Sequence, residues 1–74
     1  MAPKPDAQLS LALCNEYFAL GGTVAYLEAQ CPAIDFTGVT SGPSLYQLYL
    51  KLANDMAKQQ LAEIVIAWIR ANGG

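Results

Sequence analysis

Residues 44–71 read SLYQLYLKLANDMAKQQLAEIVIAWIRA, and the spacing of their apolar positions decides the fold class. Leu45, Leu48, Tyr49, Leu52 and Met56 recur at helical intervals opposite Gln47, Lys51, Asn54, Asp55 and Lys58, which is the stripe of an amphipathic helix. Further on, Ala57, Leu61, Ile64, Val65 and Trp68 make a second stripe opposite Gln59, Glu63 and Arg70. At ~100° per residue, the apolar centre jumps by roughly 140° near residues 56–60. One straight helix cannot lay both stripes on one neighbour. Either the region breaks around 54–60, or it stays continuous and buries its halves against different neighbours, as an intertwined dimer would.

Working outward, Ser41 or Ser44 is placed to cap this region, Pro43 suits its first turn, and Asn72-Gly73-Gly74 ends it. The preceding stretch, residues 32–43, is irregular yet carries Ile34, Phe36 and Val39. It reads as a plug for the open end of a helical bundle or as a binding loop. Upstream, Thr23 caps a short helix from Val24 to Gln30 or Cys31, which Pro32 stops because a residue before proline is pushed out of the helical region.

Asp6 is expected to cap a first helix running to about Leu20, with Gly21 as its left-handed terminator. Leu9, Leu11, Leu13, Cys14, Tyr17, Phe18 and Leu20 would span about 200° of that helix at ~100° per residue. So wide an arc demands two neighbours rather than one. Residues 1–5, with two prolines and a lysine, read as a flexible lead-in to a single domain over 6–74. The expectation is an all-α, compact bundle of three to four helices that dimerises.

Composition narrows the chemistry. The chain has no histidine and two cysteines, so an all-protein zinc site would need thiolates or carboxylates from a second copy and a nucleophile would lack a histidine base, and no metal, enzyme activity or cofactor is expected. Cys14 and Cys31 are expected either as two buried free thiols or as one bridge across a helical hairpin. Four scattered cations against six acids give a net charge of −2, without the basic stripe that phosphate backbones require, so no nucleic acid is expected as partner. No apolar run is long enough to span a bilayer, and the acid at Asp6 argues against a signal peptide, so the expected location is the cytoplasm.

What remains is a protein that works by binding protein, either a larger partner that it inhibits or organises, or its own copy. Tyr17, Phe18, Phe36, Tyr46, Tyr49, Leu61, Val65 and Trp68 are the candidate interaction residues, because aromatic side chains concentrate at interfaces. Two alternatives come from other classes. A dimeric DNA-binding regulator would use the helices joined by Gly21-Gly22, with Gln30 as the one base-reading group. Ser44-Leu45 at a helix start in a small acidic helical chain resembles the carrier serine of the acyl carrier proteins, with Pro43 where that family places an acid or histidine. That resemblance implies a phosphopantetheine on Ser44.

Overall fold

Ser10 sets the start of the first helix in this computed structural model, which describes residues 8–73. Its hydroxyl accepts the Leu13 amide at 3.1 Å and its carbonyl takes the Cys14 amide, so α1 runs Leu11–Ala19. This corrects the expected start at Asp6. A serine hydroxyl four residues later wins, and Leu9 ahead of it turns inward with Cys14, occupying the two positions of a hydrophobic staple. Asp6 itself and the lead-in at 1–5 lie outside the described residues.

The far end of α1 closes as expected on Gly21, at φ 100°. Gly21 donates to the Phe18 carbonyl and Gly22 to that of Tyr17, the paired bonds of a Schellman motif. Gly22 lies flat on the Tyr17 ring, where a Cβ would come within 2.6 Å of Cδ2. The Tyr17 hydroxyl then donates to the Thr23 carbonyl at 2.6 Å and accepts from the Thr23 amide at 3.1 Å. One side chain thus fixes the corner into α2, Val24–Gln30, whose cap is the Thr23 hydroxyl.

Residues 31–41 form no helix but point Cys31, Ile34, Phe36 and Val39 into the core. The turn that aims Phe36 and Val39 inward is closed by the Val39 amide on the Phe36 carbonyl and uses Gly38 at φ 86°. Thr37 braces it through its amide and hydroxyl, both donated to Asp35 Oδ1, which hold that carboxyl below its ordinary pKa. The plug reading of this stretch therefore describes its packing.

Ser41 precedes α3, Gly42–Lys51, and Asn54 precedes α4, Asp55–Asn72. The last region is therefore broken, at 52–54, on the leading edge of the expected window. Asn54 Oδ1 accepts the amides of Met56 and Ala57 at 2.9 and 3.2 Å, giving α4 a start of its own. A consequence is that Met56, grouped from sequence with the Leu45 stripe, falls out of register and stands 82% exposed.

The described residues form four helices, joined by turns and loops, and no strand. α1 is central: it packs against both α3 and α4, while α2 packs on α4. Gly42 makes the α1–α3 crossing close, since a Cβ there would lie 2.8 Å from Cα of Asn15. The two neighbours that the wide arc of α1 demanded both come from its own chain. The radius of gyration, 11.8 Å, is close to the ~11 Å of a compact domain this long.

Candidate functional site

The start of α4 and the loop just past α2 line an open groove. Gln60 Nε2, one of its lining groups, donates to the Gln30 carbonyl at 3.5 Å. It is lined by Ala33, just past Pro32, and by Asn54, Met56, Ala57, Gln59, Gln60 and Glu63 at the start of α4. The groove holds about 530 Å³. Gln59 Nε2 donates to Glu63 Oε1 at 3.3 Å, one turn on along α4, which orders the rim. The apolar surface of Ala33, Ala57 and the exposed, unbranched Met56, with the side-chain amides of Asn54, Gln59 and Gln60 beside it, can hold an apolar side chain and bond the backbone next to it. The lining offers no nucleophile with an adjacent base.

The residues singled out from sequence fall into three places. Tyr17, Leu61 and Val65 are fully buried and Phe36 and Tyr49 nearly so, all within one core. Trp68 and Phe18 flank Tyr17 at its edge, with ring centroids 4.8 and 5.2 Å from it in edge-to-face geometry. Tyr46 and Tyr49 stack one turn apart on α3, 6.3 Å between centroids, and Lys58 Nζ sits 5.3 Å above the Tyr49 ring. The structure thus brings Tyr17, Phe18 and Trp68 together, and separately Tyr46 and Tyr49. In this conformation the fully buried members present no surface to another molecule.

None of the groove residues was among those candidates. Sequence held one signal for them, the jump in apolar phase near 56–60. Where two stripes fall out of phase, a side chain such as Met56 is left without a neighbour.

Both thiols are free and buried. Burial pushes Cys14 up to about 11 and raises Cys31 in the same direction. Both are therefore unreactive side chains of the core, packed as small apolar groups. Ser44 Oγ accepts the amides of Thr40 and Ser41 at 2.9 and 3.0 Å and donates to the Ser41 carbonyl. It ties the first turn of α3 to the loop before it. No helix among the described residues is long and apolar enough to cross a membrane. No protein family model, characterised protein or solved structure matches the chain.

Proposed function

We propose that this chain is a non-catalytic protein-binding module that takes an apolar side chain of its partner into the groove between Ala33 and Met56. The observation that carries the reading is Met56, 82% exposed at the lip of a groove whose walls are otherwise small or polar. Among the described residues Met56 is the most exposed of five large apolar side chains that stand in solvent; Leu50 at 48%, Leu11 at 44%, Leu20 at 39% and Tyr26 at 38% all lie outside this lining. Methionine suits a docking lip because an unbranched thioether adapts its shape to what it meets. The partner on this reading is a protein, and the place of action is the cytoplasm, where thiols such as Cys14 and Cys31 stay reduced.

Site-specific photo-crosslinking in the cells that make the protein tests this. A photoreactive residue at 56 is expected to capture one defined protein through a short contiguous segment, and the same residue at the exposed position 47 on α3 is expected to capture none. Equal yields from the two positions, or none from 56, would refute the groove as a docking site.

A further inference from the structure

We propose that two copies of this chain exchange α4, the segment 52–54 straightening so that α3 and α4 become one helix and α4 packs on α1 of the other copy. Three observations meet at this junction. First, Leu52-Ala53-Asn54 contains neither glycine nor proline, so nothing in it forbids helix. The break is held by hydrogen bonds that a continuous helix would replace: Asn54 Oδ1 on the Met56 and Ala57 amides, and a long 3.3 Å bond from the Leu52 amide to the Tyr49 carbonyl.

Second, α4 packs on α1 and α2, and no comparable packing joins it to α3. Lys58 of α4 stands over the Tyr49 ring of α3, 5.3 Å from its centroid, an exchangeable side-chain contact. Straightening therefore leaves the large interfaces of α4 intact in kind and moves them to another copy, which is the condition for a swapped dimer to be close in free energy to its monomer.

Third, the buried faces have the right phase. In one continuous helix at ~100° per residue, Leu45 and Tyr49 would lie on one side and Leu61, Val65 and Ile69 roughly 180° away on the other. A straightened α4 cannot return to its own α1, so its apolar face is presented outward to a second chain. The occupant is set by this geometry: only another α1–α2 surface of this sequence has the complementary core around Tyr17. The proposal stands apart from the groove reading, because neither the hinge nor the α1–α4 interface involves an outside ligand.

The test is refolding from denaturant at millimolar concentration, followed by size-exclusion chromatography and sedimentation equilibrium. Wild type is expected to yield a slowly exchanging dimer. Asn54→Ala, which removes the cap and favours helix, should raise its share several-fold. Ala53→Pro should abolish it while keeping the monomer, since Leu52 already has the ψ of 123° that suits a residue before proline. In dimers made from labelled and unlabelled copies, isotope-filtered NMR should join Tyr17 of one copy to Trp68 of the other. If Asn54→Ala does not fold, wild type against Ala53→Pro decides the same question. Monomer alone from wild type, a dimer share unaltered by Ala53→Pro, or Tyr17–Trp68 contacts confined to single copies would overturn the exchange.

Discussion

Residues 31–41 and residues 52–54 are both non-helical connections, and they do opposite jobs. The longer one places Cys31, Ile34, Phe36 and Val39 in the core, with a left-handed glycine and an aspartate-centred turn to hold its shape. The shorter one buries nothing fully: Leu52 is half-buried, and Ala53 and Asn54 are exposed. Irregular backbone is thus no guide to mobility. What matters is whether its side chains are built into the core and whether its turns are locked by residues that cannot be helical.

The sharpest way to break this comparison is to empty the longer segment. Phe36 is 5% exposed in the core cluster, so Phe36→Ala should lower stability by ~3–5 kcal/mol, enough to unfold much of a small domain. Truncating the half-buried Leu52 should cost roughly half as much or less. Urea denaturation of both variants gives the order. Equal losses would mean that the 31–41 segment is no more a part of the core than the hinge.

The core that this segment closes also predicts a pH limit. Cys14 rises from an ordinary 9.0 to about 11 through burial, and burial raises Cys31 and Tyr17 likewise. Above pH 9 the unfolded chain gives up thiol protons that the folded chain keeps, so the unfolded state binds fewer protons and stability falls as pH rises. The Cys14 contribution is complete below pH 9 and lost by about pH 11, on the order of 2–3 kcal/mol at ~1.4 kcal/mol per unit. Urea midpoints across that range should fall steeply for wild type and less steeply for Cys14→Ala. A flat profile would show that the thiols reach water.

Much of this architecture is legible in residues 44–71, because helical periodicity is local and a change of phase has few explanations. Thr23, Gly21 and Pro32 likewise act through their own backbone, and their roles follow from identity alone. The start of α1 is not legible in the same way, since Asp6 and Ser10 are equally good caps by type, and what favours Ser10 is the inward turn of Leu9, a tertiary contact. The groove was beyond reach for a different reason. It depends on Ala33 and Met56, distant in sequence, meeting across a gap, and the eight aromatic and aliphatic candidates were chosen by residue type, which selects core as readily as interface.

A smaller effect sharpens the hinge side. Asn54→Ala deletes the acceptor of two α4 amides, so the monomer should lose about 1 kcal/mol, as other helix caps do. The denaturant slope should not change, because no buried surface is lost. A loss near that of Phe36→Ala would mean that the junction is as firmly held as the plug, and the contrast between the two segments would fail.

The smallest expected effect is at Met56, and it separates stability from recognition. Phe36 and Met56 are both large apolar side chains next to irregular backbone, but one is enclosed and the other stands in solvent. Met56→Ser removes almost no buried area, so the melting temperature should stay within the shift set by about 0.5 kcal/mol. NMR shift changes should be confined to the groove residues Ala33, Ala57, Gln59 and Gln60. Crosslinking to a partner from a neighbouring groove position should nevertheless fall sharply, because the lip that encloses the partner's side chain is gone. A drop in melting temperature that grows with protein concentration would have another meaning: Met56 would be covered in solution by a second copy, and the groove would be a self-association site instead of a site for a different protein.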